Sequence, residues 1–222
     1  MLRHDLTYRL EQGWHAAFAS PSNLCSSLPP GAFGALRLFF FLFWLSVTIW
    51  AVADDFDAQF WIYLTNWSLL FELTYFAFAA GLAMAAIFFN VPDAKGEKTP
   101  WYARVGYALQ CSTYVISFIV SVLFWALVYD GGALPAISFF THGSNFIVAF
   151  ADLLLAGIPF RVGHMWVSLV FALAYVLFSL IYDVSGGMAG DDPYIYEVLD
   201  WNNNTGSAVG YSAGVVLIAF PV

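Results

Sequence analysis

The sequence predicts an all-α, multi-pass membrane bundle of six transmembrane helices with both termini in the cytosol. The first observation is composition: 61% of the 222 residues are hydrophobic and 10% charged, where a soluble domain carries about a quarter charged residues. The second is a series of apolar runs near residues 33–53, 60–89, 103–128, 137–157, 165–182 and 206–222, each reaching at least the roughly 17 residues that cross a hydrocarbon layer as a helix. The third is charge. With a cytosolic N-terminus, all seven Lys and Arg (Arg3, Arg9, Arg37, Lys95, Lys98, Arg104 and Arg161) fall on the cytosolic side. The opposite side holds Asp54, Asp55, Asp57, Asp130, Asp183, Asp191, Asp192, Glu197 and Asp200. Retention of positive residues in the cytosol is what sets topology. The formal net charge of −8 is therefore an outer-face property, and it argues against a nucleic-acid partner.

Two regions are expected: a cytosolic N-terminal tail, residues 1–30, and one six-helix transmembrane domain, residues 31–222. In the tail, Leu2, Leu6, Leu10 and Trp14 recur every four residues, the pattern of a helix lying on a membrane surface, with a mobile tail as the other reading. Pro29, Pro30 and Gly31 end any such helix before the first span, which is dense in phenylalanine and bounded by Arg37 and the Asp54 to Asp57 cluster. The second span, near 60–89, exceeds the crossing length and should tilt or project. A charged, proline-flanked loop follows. The third span carries Ser112, Thr113, Ser117 and Ser121, groups that bond backbone or neighbouring helices. A short Gly and Pro turn leads to the fourth span, and Pro159, Arg161 and His164 lead to the fifth. The connection from Asp183 to Thr205 is the longest, and a last run of about 17 residues, the lower limit for a span, closes the chain. Cys25 and Cys111 both fall on the reducing side, so no disulfide framework is expected.

Chemistry concentrates in the second and fourth spans. Thr65, Asn66, Ser68 and Glu72 interrupt one apolar run; Thr141, His142, Ser144, Asn145 and Asp152 interrupt the other. An ionisable group in hydrocarbon costs roughly 2.5–3.5 kcal/mol or more on insertion scales, so it turns inward and is often functional. Both helices run inward from the outer face. Thr65 lies five residues after Phe60 and His142 five after Ile137, placing each about 7–8 Å below the outer boundary at about 1.5 Å per residue. The two side chains are thus expected to meet.

A threonine hydroxyl becomes a nucleophile when a base takes its proton, and histidine is the usual base. Asn66 or Asn145 would stabilise an oxyanion or orient the imidazole. The structural alternatives are a Thr65 bonded to its own helix and a His142 bonded between helices. Glu72, Asp152 and His164 are expected to form an intramembrane polar network, a proton relay or hydrogen-bonded packing groups. No Cys/His or His/Glu cluster has metal-ligand spacing, and neither a metal nor another cofactor is expected.

Four motifs carry a resemblance: YLTNWS (Tyr63–Ser68), THGSN (Thr141–Asn145), the turn from Ile158 to His164, and PYIYEVLDW (Pro193–Trp201). Together, and in this order, they resemble the insect rolling stone family, which is associated with myoblast fusion. More distantly, the six-span layout, the Leu-Thr of the second span and the His-Gly of the fourth are similar to the androgen-induced and androgen-dependent membrane hydrolases. Those enzymes cleave fatty-acid esters of hydroxy fatty acids with a Thr and a His. The resemblance implies Thr65 as nucleophile and His142 as base, with membrane lipids as surroundings and a lipid ester as substrate. This chain has Tyr196-Glu197 where the more distant family has Tyr-Pro in the last outer loop. Three functions stay open: a lipid-ester hydrolase, a non-enzymatic protein of cell fusion or adhesion, and a proton or small-solute carrier. The expected location is the plasma membrane or the endoplasmic reticulum.

Overall fold

The computed structural model describes residues 13–54, 58–89 and 99–219. The leucine-periodic start of the tail, Asp55 and Asp57, the charged loop 90–98 and the last residues of the sixth run lie outside the described residues.

All the long elements are helices. A short α1 (Trp14–Ala19) precedes α2 (Pro30–Asp54) and α3 (Leu64–Phe88). Next come α4 (Trp101–Val128), α5 (Ala136–Leu155) and α6 (Trp166–Val184), and finally α7 (Thr205–Ala219). Five of these, α2 to α6, are long and apolar enough to cross a membrane, which makes this a multi-pass membrane protein. The sixth expected span is represented by the 15 residues of α7.

Phe39, Ile49, Phe118, Ile147, Leu177 and Ile181 are exposed on the outside of the bundle, whereas Arg37, Glu72, Gln110 and Asp152 are buried. That inversion of the soluble pattern suits a lipid solvent, in which apolar surface needs no cover and polar groups do.

Helix starts depart from the sequence reading in two places. Pro30 opens α2 because a proline in the first helical position loses no intrahelical bond and brings a helical φ. The second span is the larger departure: it was expected from Phe60, but Ala58–Ile62 is a separate 3₁₀ turn and Tyr63 is extended (φ −85°, ψ 130°). Two side chains of the first turn of α3 hold this break. Asn66 Nδ2 donates to the Phe60 carbonyl at 2.7 Å, and Trp67 Nε1 to the Trp61 carbonyl at 2.7 Å. Phe60 and Ile62 are buried beneath them, and Thr65 consequently sits in the first turn of its helix.

Arg37 also differs from expectation. It is not a boundary charge but lies 1% exposed inside the bundle, 3.7 Å from Asp152 of α5. The other Asp152 oxygen accepts hydrogen bonds from Tyr75 of α3 and, at 2.9 Å, from Tyr114 of α4. Gln110 donates to the Tyr114 hydroxyl at 2.8 Å, and the guanidinium lies against the Phe33 and Phe18 rings, 5.0 and 5.9 Å from their centroids. One buried carboxylate thereby ties α2, α3, α4 and α5 together at a single depth.

The described part of the expected tail is built into the bundle. Ala17 and Phe18 of α1 are fully buried. The Ser22 N–H donates to the Leu155 carbonyl at 2.7 Å, and the Gly157 N–H to the Ser20 carbonyl at 3.1 Å. A Cβ on Gly157 would sit 2.7 Å from that Ser20 oxygen, closer than the backbone approach allows.

Replacing Arg37 with Met leaves Asp152 buried without its cation and should cost about 3–5 kcal/mol in thermal unfolding in detergent. The double variant Arg37→Met/Asp152→Asn should lose clearly less than the two single losses added; strict additivity would refute the pairing. Gly157→Ala should expose residues 13–25 to limited proteolysis while the spanning helices stay protected.

Candidate functional site

Thr65 and His142 meet. Thr65 Oγ1 lies 3.4 Å from His142 Nδ1, at the end of the bundle where α3 and α5 begin. The first turn of α3, fixed by the Asn66 and Trp67 bonds, places the threonine. Two features place the histidine. Residues Phe140–Ser144 of α5 are π-helical, a local widening that often marks functional positions, and the imidazole lies flat on Phe124 of α4, centroids 3.6 Å apart and planes 3° apart. Phe124 itself opens a second π-helical stretch, Phe124–Val128.

The same offset recurs deeper in the bundle. Thr65 and His142 are 77 positions apart, and so are Tyr75 and Asp152. The two parallel helices therefore hold one register between the site and the buried carboxylate. Ser68 and Asn145 share that offset of 77 and lie one turn below the site.

The remaining expected residues fall elsewhere. The Asn66 amide is spent on the Phe60 carbonyl, so it shapes the loop, although it lines the cavity described below. Asn145 is buried, its Oδ1 accepting the Phe146 N–H at 2.6 Å, and it is not part of the cavity wall. Glu72 is fully buried and accepts from Ser68 and Ser117 at 3.0 and 2.9 Å, a clamp between α3 and α4. Asp152 pairs with Arg37, as described. His164, also buried, packs edge-on against Tyr107 with centroids 4.8 Å apart. Glu72, Asp152 and His164 thus sit in separate polar clusters. Among the described residues no three His, Cys, Asp or Glu side chains gather as a metal site.

A cavity of about 540 Å³ opens directly on the pair, within the roughly 300–1,000 Å³ usual for ligand pockets. Thr65, Asn66, His142 and Tyr196 form its polar end, and Ile116, Ile119, Ala172, Val176 and Val215 its apolar wall. From Phe124 to Ile116 along α4 this wall runs eight residues, about 12 Å at 1.5 Å per residue. A linear apolar chain with a polar group at its head matches that shape.

Sequence reasoning assigned no role to two tyrosines here. Tyr175 of α6 is buried and donates to the Ile62 carbonyl at 2.7 Å. Tyr196, from the connection between α6 and α7, accepts the Leu64 N–H at 3.2 Å, and its hydroxyl lies beside those of Tyr175 and Thr65. That connection is a built wall. Asp183 accepts the Trp201 N–H at 2.6 Å and the Asn202 amide at 2.9 Å, Trp201 Nε1 donates to Ser179 at 3.2 Å, and the Gly190 N–H reaches Gln59 at 3.0 Å. The only sequence signal was the PYIYEVLDW motif itself, whose polar composition reads as an ordinary loop.

The family described as Protein rolling stone matches residues 32–221, which takes in α2 from Ala32 onward, all of α3 to α7 and every residue of the site. The chain belongs to the rolling stone family. Protein rolling stone of Drosophila melanogaster is 31% identical over 177 residues, covering 73% of this chain and 64% of that protein. The chain therefore spans somewhat less than two thirds of the length of this rolling stone relative. No solved structure matches.

If the cavity is a binding site, it should take up a fluorescent long-chain fatty acid from detergent. Ala172→Phe, which fills the apolar wall, should weaken that binding at least about tenfold, near 1.4 kcal/mol. Leu177→Phe on the lipid-facing side should leave it unchanged. Equal effects of the two variants would show that the probe binds the lipid-facing surface.

Proposed function

We propose that this rolling stone family protein is an intramembrane hydrolase of lipid esters, with Thr65 as nucleophile and His142 as base. The observation that carries this reading is the 3.4 Å approach of Thr65 Oγ1 to His142 Nδ1 at the polar end of an elongated apolar cavity. The distant resemblance of the Leu-Thr and His-Gly motifs to Thr/His hydrolases supports it.

In the reaction, the acyl chain enters the apolar cavity with its ester carbonyl at Thr65. Thr65 Oγ1 attacks the carbonyl carbon while its proton passes to His142 Nδ1, which requires the imidazole to carry its own proton on Nε2. Negative charge builds on the carbonyl oxygen at the N-terminal end of α3, whose partial positive charge favours an anion. The tetrahedral intermediate collapses, the carbon–oxygen bond to the alcohol breaks, and His142 protonates the departing alkoxide. Water, deprotonated by His142, then attacks the acyl-threonine and returns the acid and the free enzyme.

With the cytosolic N-terminus inferred from charge, the pair lies in the outer half of the bilayer, within reach of the ester carbonyls of membrane lipids. Fatty-acid esters of hydroxy fatty acids are the first class to try, in the plasma membrane or the endoplasmic reticulum. Glu72 and Asp152, each enclosed by hydroxyl donors, serve as packing groups in this reading rather than as a relay.

Purified protein in detergent should hydrolyse such an ester. Thr65→Ala should abolish turnover, and His142→Ala should lower it about 10²–10⁴-fold, with unfolding temperatures close to that of the wild type. A wild type inert towards several lipid esters would end this proposal and favour a non-enzymatic role in fusion or adhesion through the acidic outer loops.

A further inference from the structure

The Tyr196 hydroxyl has three neighbours, and its hydrogen bonds can be assigned from the donors available. The Leu64 N–H donates to it at 3.2 Å. This amide is one of the first-turn donors that an α-helix leaves without an internal partner, and Tyr63, at the cap position, makes no side-chain cap bond. Tyr175 spends its single proton on the Ile62 carbonyl at 2.7 Å, so towards Tyr196 it can only accept. With the imidazole proton on Nε2, as the hydrolase reading requires, the Thr65 proton is directed at His142 Nδ1, 3.4 Å away. The Tyr196 proton is therefore available to acceptors at Tyr175 and Thr65, and a bond to Thr65 gains strength as negative charge accumulates on the threonine oxygen.

Resting on the hydrolase reading, we infer that Tyr196 is a third catalytic residue: its hydroxyl donates to Thr65 Oγ1 and stabilises the charge that develops there while the threonine proton passes to His142. Tyr196 keeps its proton throughout, so the balance of the acyl transfer is unchanged. Burial pushes the phenol up to about 12, which keeps it a neutral donor at physiological pH. Its ring packs edge-on against Tyr63, centroids 6.1 Å apart, and the Asp183 and Trp201 bonds hold the loop that carries it. The loop is consequently part of the active centre and not only its cover.

The test is a double-mutant cycle with ester hydrolysis as readout. Tyr196→Phe keeps the ring and removes the hydroxyl, and should lower kcat about 10²–10³-fold while KM stays within about threefold. The hydroxyl also caps Leu64, so the same substitution is made in a Leu64→Pro background. Proline is favoured in the first helical position, and the extended Tyr63 suits the residue preceding a proline. With no N–H left at position 64, a capping role cannot contribute. An equal kcat loss from Tyr196→Phe in both backgrounds supports the inference, and a loss that vanishes beside Leu64→Pro reduces Tyr196 to a helix cap and overturns it. A change below threefold in an active wild-type background also overturns it and leaves the hydrolase standing. An inert wild type removes the hydrolase reading and this inference with it.

Discussion

The structure depends on one buried charge. Asp152 lies inside a helical bundle with no water-facing surface, and isolating a carboxylate there would be prohibitive. It persists because Arg37, Tyr75 and Tyr114 reach it from three other helices. Such an arrangement adds little net stability compared with a well-packed apolar core, but it penalises any other register heavily. A one-residue slip of α5 against α3 would swing Asp152 away from Tyr75 and leave a bare anion. The same register brings His142 to Thr65 ten residues earlier on both helices (65 to 75, 142 to 152). The charge thus positions the site from about 15 Å away.

The rest of the bundle shows the same economy of polar groups. Glu72 takes two serine hydroxyls, one from its own helix and one from α4. The N-terminal segment satisfies the backbone beyond α5 through Ser20 and Ser22. In a lipid solvent, helix packing gains little from burying apolar surface, so specificity comes from these few bonds and from shape. The residues that look most functional in the sequence, the intramembrane acids, are largely the ones that fix the scaffold. The polar groups beside the cavity are mostly hydroxyls, an imidazole and an amide.

What the sequence made legible follows from this. Apolar runs and composition are enough for a helical membrane fold, and Thr65 and His142 stood out because each interrupts such a run. Their meeting was inferred from equal depth below the boundary, on the premise that the second helix begins at Phe60. It begins at Leu64. The pair still meets because the turn at Ala58–Ile62 occupies the end of the bundle that the missing helical turn would have filled. Other features left no such trace. Arg37 near a helix end reads as an interfacial charge, and only the tertiary arrangement shows Asp152 drawing it inward. The π-helical stretches at Phe124 and Phe140 carry no local signature. Tyr196 is 131 residues from Thr65, and only the folding back of the last connection brings it near.

The most direct test is covalent. An alkyl fluorophosphonate reacts with an activated hydroxyl by losing fluoride, and its acyl-like chain would follow the apolar cavity. Peptide mass mapping should find a single adduct, on Thr65, that disappears in His142→Ala. An adduct on another residue, or none in folded wild-type protein, would contradict the account.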